Sequence, residues 1–154
     1  MFLSVLLLVH LLGFAAYVGG AFGQRLLMRS SAQAGVAPAV RDAYERAAAT
    51  VATKVELVGL FVQVISGVLI LVLAPDFLKQ HWMHAKLTAV LILLVVAHLE
   101  MINARRIVKA RAARGDAAEA EIQGRKGRQA ALGVVSGLFI GAIVLLVTVL
   151  RNAF

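Results

Sequence analysis

Few residues in this chain could do chemistry, and most of them stand where a membrane would reject them. His10 lies within MFLSVLLLVHLLGFAAYVGGAFG, and His84, Lys86, His98 and Glu100 within HWMHAKLTAVLILLVVAHLEM. Glu56 and Gln63 belong to VELVGLFVQVISGVLILVLA. Ionisable groups in lipid are expensive and usually face a bundle interior, a partner or a ligand. The chain has no cysteine, so disulfides, thiolate zinc sites and iron–sulfur clusters are excluded. For His10 and His98 that leaves haem iron, copper, a proton path, or a hydrogen-bonded place in the core. Two imidazoles on facing helices suit the axial positions of a b-type haem. Copper(I) prefers thioethers and thiolates, and Met1, Met28, Met83 and Met101 do not share one depth.

Helix phase groups these residues. His84, Leu91, His98 and Arg105 recur at sevens and share one face, while Lys86 and Glu100 share another. His10 shares its face with Gly13 and Tyr17. Each group also has a structural explanation. His81 and His84 can sit with Trp82 at the headgroups. Lys86 can snorkel outward. Glu56 and Glu100 can pair with Lys54, Arg25 or Arg105. Counting at 1.5 Å per residue, His10 and His98 differ in depth by roughly 12 Å, a large offset for two ligands of one haem.

The elements that position these groups follow from composition. The 154 residues are 61% hydrophobic with mean hydropathy +0.87, against about 45–50% apolar residues in soluble domains. A helix crosses the bilayer core with about 20 apolar residues, and four blocks qualify: about 2–24, 55–74, 82–104 and 130–150. They are continuous rather than alternating, which argues against barrel strands. The first lacks the basic start of a cleavable signal and reads as a retained span. Cations gather in segments 25–54 (Arg25, Arg29, Arg41, Arg46, Lys54) and 105–129 (Arg105, Arg106, Lys109, Arg111, Arg114, Arg125, Lys126, Arg128), while Lys79 and Arg151 stand almost alone elsewhere. The positive-inside rule then places both segments in the cytoplasm and both termini outside. The expectation is an all-α, four-helix integral membrane bundle, one domain over 1–154, in a bacterial inner membrane with its termini on the periplasmic side. The net charge of +8 reflects topology and anionic headgroups, not a nucleic-acid partner.

Neither basic segment reads as slack chain. PAVRDAYERAAATVATK (38–54) opens with proline and is rich in alanine, and so predicts a helix leading into the second span. Residues 105–128 predict a helical extension of the third span, with breaks near Gly115 and near Gly124 and Gly127. Two small-residue stripes, Ala15/Gly19/Gly23 and Gly133/Gly137/Gly141, suit close helix packing within the chain or in a homodimer, or room for a flat cofactor.

Trp82-Met-His84-Ala-Lys86-Leu followed by Ala97-His98 resembles the third-span signature of HemJ-type protoporphyrinogen IX oxidases. His10 with Tyr17 and Gly20, Arg25 at the helix end, and Tyr44-Glu45-Arg46 are similar to that family's pattern around its first two spans. Tyr17 stands where the family usually has Trp, Ala97 where it has an aromatic, and the family's C-terminal Asn-Glu-Pro ending is absent. The likeness covers roughly residues 8–104 and extends more loosely to CopD-like proteins. It implies a haem b protein. His10 and His98 would be its functional histidines, with Arg25, Lys86 and Tyr17 completing the cofactor site. The implied reaction takes porphyrinogen to porphyrin and passes electrons to a membrane acceptor such as quinone. The alternative is a non-enzymatic accessory subunit, or a metal-handling protein, of the same fold.

Overall fold

The computed structural model describes residues 2–149, so Met1 and Arg151 of the sequence reading lie outside the described residues. The described chain is helical. Helix α1 spans Phe2–Ser31. Helix α2, Pro38–Val51, has its proline in the first turn, where the missing N–H costs nothing and the fixed φ favours helix. A single π turn, Ala52–Glu56, joins it without a break to α3, Leu57–Leu73. Pro75 opens a short 3-10 turn, and α4 then runs from His81 to Arg114. Gly115, with φ +54°, turns the chain at a conformation that L side chains rarely adopt. Helix α5 follows as Glu119–Thr148. The expected break at Gly115 is present. The second one, near Gly124 and Gly127, is not: α5 passes straight through, with Ile122, Lys126 and Gln129 buried around the two glycines.

Among the described residues three helical stretches are long and apolar enough to cross a membrane: Phe2–Ser31, Pro38–Leu73 and His81–Thr148, with mean hydropathies of 2.1, 2.4 and 2.6. Their outer faces carry bare aliphatics: Leu8 is 57% exposed, Val72 72% and Leu138 69%. A water-soluble chain rarely shows apolar surface on that scale; facing lipid, it is in its proper solvent. The 36 residues from Pro38 to Leu73 measure about 54 Å, well beyond a hydrocarbon core of about 30 Å. The surplus is the charged α2 end, against which the basic parts of α4 and α5 pack through Arg111 and Lys126.

Glycine sets how the helices pack. A Cβ added at Gly13 would come within 2.7 Å of the Gln63 nitrogen, one at Gly20 within 2.7 Å of the Glu56 nitrogen, and one at Gly59 within 2.5 Å of the Tyr17 nitrogen. Helices α1 and α3 therefore touch backbone to backbone. The face that does so carries His10, Gly13 and Gly20. It is not the Ala15/Gly19/Gly23 stripe, where Ala15 and Gly19 are exposed and Gly19 meets nothing. An apolar core of Tyr17, Leu60, Ala89, Leu93, Ala97 and Ile143 fills the middle of the bundle. A second, including Met28, Ala48, Ile107 and Ile122, fills the charged end.

That end is tied by ions. Glu45 on α2 is fully buried and takes both arms of Arg111 from α4, Nε to Oε2 and Nη2 to Oε1, each at 3.0 Å. Lys126 from α5 adds a contact of 2.7 Å to Oε1. Arg111 also reaches Glu119 at 2.7 Å. Burial alone would raise the Glu45 carboxyl, but Arg111 and Lys126 more than offset it and hold the group below its ordinary value.

Candidate functional site

Where the apolar stretches give way to the charged end, four elements bring polar side chains to one point. Helix α1 contributes Tyr17 and Arg25, the π turn Glu56, α4 Glu100, and α5 Ser136; Gln24 of α1 is buried as well, as are Asn103 of α4 and Gln129 of α5, which hydrogen-bond to each other at 2.7 Å. Glu56 and Glu100 are each 1% exposed and lie within interaction range of each other. Arg25 Nη2 is 3.9 Å from Glu100 Oε1. Among the described residues none of the four carboxyl oxygens accepts from another donor, the two carboxyls being close enough to hydrogen-bond to each other when one is protonated, and neither end of the buried Gln24 amide has a partner. Tyr17, fully buried above them, shares a hydrogen bond of 3.1 Å with Ser136.

Local structure explains the convergence. The π turn changes the register between α2 and α3, and Glu56, at its last position, is buried against α1 at Gly20. Single π turns inside helices are frequent at functional sites. Gly20 leaves room for the Glu56 backbone, and Gly133 leaves room for Arg25, whose Nε a Cβ there would meet at 2.8 Å. The gap in the α5 glycine stripe is thus filled by a guanidinium from the same chain.

Further toward the opposite end, His10 donates from Nδ1 to the Gln63 carbonyl at 2.8 Å and lies 3.2 Å from Ser66 Oγ. Its ring rests on Gly67, and Lys86 is within electrostatic reach. His98 donates from Nδ1 to the Leu94 carbonyl at 2.9 Å and stands edge-on to Phe61, ring centres 5.8 Å apart. His81 and His84 are exposed. Among the described residues no three His, Asp or Glu side chains converge as a metal cluster.

Residues 4–151 match the family described as "Predicted integral membrane protein (DUF2269)". The chain belongs to this family. No curated protein and no solved structure matches it. Membership makes the DUF2269 chain an integral membrane protein and does not link it to the HemJ-type oxidases or the CopD-like proteins.

Of the residues singled out by sequence in this DUF2269 protein, His10 and Lys86 are neighbours, as are Arg25 and Glu100. His98 stands apart from both pairs. His10 touches α3 at Gly67 and His98 touches it at Phe61, six residues and about 9 Å apart along the axis. Each imidazole uses Nδ1–H on a backbone carbonyl, which leaves Nε2 with its lone pair, the arrangement that histidine ligands to metals commonly show. Each thus keeps Nε2 as a ligand atom, and no contact among the described residues brings the two to a shared site. Sequence reasoning reads Glu56 and Glu100 as partners of Lys54, Arg25 or Arg105. It missed that they face each other, and it missed Gln24, Asn103 and Gln129 altogether. Gln24 shares a helix face with Gly20 and Tyr17, which was the available signal.

Proposed function

We propose that this protein crosses the membrane four times, with both charged helical ends in the cytoplasm and its termini outside, and that it binds a proton or a small monovalent cation between Glu56 and Glu100. Positive-inside charge supports the orientation, and the turn at Gly115 between α4 and α5 supports counting the third stretch as two crossings. One observation carries the site: two fully buried carboxyls face each other at hydrogen-bond range, with no other donor among the described residues, beside one guanidinium. Two carboxylates and one guanidinium leave one negative charge over, and an isolated charge in a dry interior is costly. One proton or one monovalent cation balances it, and a proton also lets one carboxyl donate to the other. Tyr17, Gln63, Ser66 and His10 extend a polar route from this site toward the opposite end.

Glu56→Gln and Glu100→Gln test the reading in purified protein in mild detergent. Infrared difference spectra across pH should show a protonated carboxyl in the wild type that either variant removes. If a cation fills the site instead, lithium, sodium or potassium should raise the thermal midpoint of the wild type alone, by mass action on the folded state. Neither signal in the wild type overturns the proposal.

A second reading, haem b binding with redox work on a porphyrinogen and a membrane quinone, is favoured by the free Nε2 atoms of His10 and His98 and by the resemblance of the first and third spans. An air-oxidised and dithionite-reduced absorption spectrum should then show a Soret band with sharpened α and β bands, weakened by His10→Ala or His98→Ala. Colourless protein from haem-supplemented cells rejects it. Homodimer formation, if it occurs, would use the open Gly19 or Gly141 face, since Gly133 and Gly137 lie against Arg25.

A further inference from the structure

The α2–α4 side of the charged end has an open cleft of about 360 Å³, lined by Arg46, Thr50, Thr53, Lys54, Arg105 and Val108 among others. Three cations and two hydroxyls face it, and no carboxylate lines it. The hydroxyls donate back to their own helix, Thr50 to the Arg46 carbonyl and Thr53 to the Ala49 carbonyl, which leaves their lone pairs and the cations to meet what enters. Arg46 is paired with Asp42 at 2.6 Å, whereas no ion pair engages Lys54 or Arg105 among the described residues.

The position of the cleft says which anion. Phe61 on α3 touches His98 on α4. Arg105 lies seven residues after His98 on the unbroken α4, and Lys54 lines the same cleft as Arg105, so the charged rung sits two turns, about 10 Å, from the aromatic one. Between and below them the surface is apolar and bare: Val58 is 51% exposed, Ile102 40% and Val95 60%. A cationic cleft continuous with an apolar track, at the edge of the hydrocarbon zone, matches a molecule with a phosphate head and acyl tails. Topology alone accounts for cations on this side of the membrane. It does not account for a carboxylate-free cleft ending on a bare seam.

We infer that this cleft is a binding site for the headgroup of an anionic phospholipid, with Lys54 and Arg105 on the phosphate and an acyl chain along Val58, Phe61 and Ile102. Each juxtamembrane cation is a substantial fraction of such binding, and basic pockets beside membrane helices are suited to charged headgroups. The site is independent of the Glu56–Glu100 pair and stands or falls separately.

The test is lipid retention by native mass spectrometry, with the full chain equilibrated with phosphatidylglycerol or phosphatidylcholine in detergent. Wild-type protein should retain phosphatidylglycerol at least about tenfold better than Lys54→Gln/Arg105→Gln. Lys109→Gln/Arg128→Gln, which removes the same charge elsewhere, should retain it like wild type. Equal retention of phosphatidylcholine by the wild type, or an equal loss in the two double variants, overturns the proposal. Displacement of the lipid by inorganic phosphate would make the cleft a site for free phosphate and overturn it as well. Circular dichroism and a monodisperse elution profile establish that each variant is folded, so a loss of retention reads on the cleft.

Discussion

Arg111→Ala is expected to destabilise the folded protein by about 3–5 kcal/mol, the cost of breaking a buried ion pair from one side. Glu45 is fully buried and accepts both arms of this guanidinium. With Arg111 gone, Lys126 at 2.7 Å is the one cation among the described residues left on the carboxylate, and the contact to Glu119 is lost too. Arg111 joins α2, α4 and the start of α5, so the charged end should loosen as a unit. The measurement is a thermal midpoint in mild detergent, with Arg111→Ala/Glu45→Gln as the partner in a double-variant cycle. If the cluster works as described, the double variant recovers part of the loss, because the orphaned charge is gone. A single variant as stable as wild type would show that the network carries no stability.

The same carboxyl fixes a pH dependence. Glu45 and Glu119 are both held below their ordinary values in the folded protein. A depressed folded value means that the unfolded chain binds more protons as pH falls. The stabilisation is thus complete above the ordinary glutamate value of about 4.3 and is lost as pH drops through the folded value. Thermal midpoints should change little with these groups near neutrality and fall on acidification. Glu45→Gln should flatten the acid limb.

How much of this could be read from the sequence depends on which property does the work. Apolar blocks announce helices because the solvent demands it: every backbone group must be satisfied internally in lipid, and roughly 20 residues are needed to cross. The helix opening at Pro38 and the turn at Gly115 were legible for equally local reasons, a fixed φ and a freely positive one. Pairing across helices was not. Spacing put Ala15, Gly19 and Gly23 on a stripe as regular as Gly13 and Gly20 do with Tyr17, and nothing in one helix says which stripe its neighbour will choose. The meeting of Glu56 with Glu100 was hidden for a further reason. The π turn shifts the register between α2 and α3, so helical phase counted from Glu45 or Lys54 does not carry through to Glu56.

The choice between those two stripes gives the second large effect. Gly59→Val is expected to prevent α1 and α3 from docking, and Gly59→Ala to weaken them measurably. The added Cβ would stand 2.5 Å from the Tyr17 nitrogen, 2.9 Å from the Ala16 Cβ and 2.9 Å from the Gly13 carbonyl oxygen. Two of these three atoms are backbone, which cannot swing aside as a side-chain end can, so the helices must separate along their length. Overpacking of a tight core costs about 1–3 kcal/mol, and valine adds two methyl groups to the alanine clash. Separation would also draw Gly20 away from Glu56 and so open the carboxyl pair. Gly19→Ala and Gly141→Ala are the controls. An added Cβ meets nothing at either position, and alanine is the better helix former by about 1 kcal/mol, so both should elute as wild type and melt no lower. Size-exclusion profiles after a heating series separate the cases. Should Gly59→Ala survive heating like wild type while Gly19→Ala collapses, the packed face of α1 is the Ala15/Gly19/Gly23 stripe, and the close α1–α3 seam is not how this bundle is held.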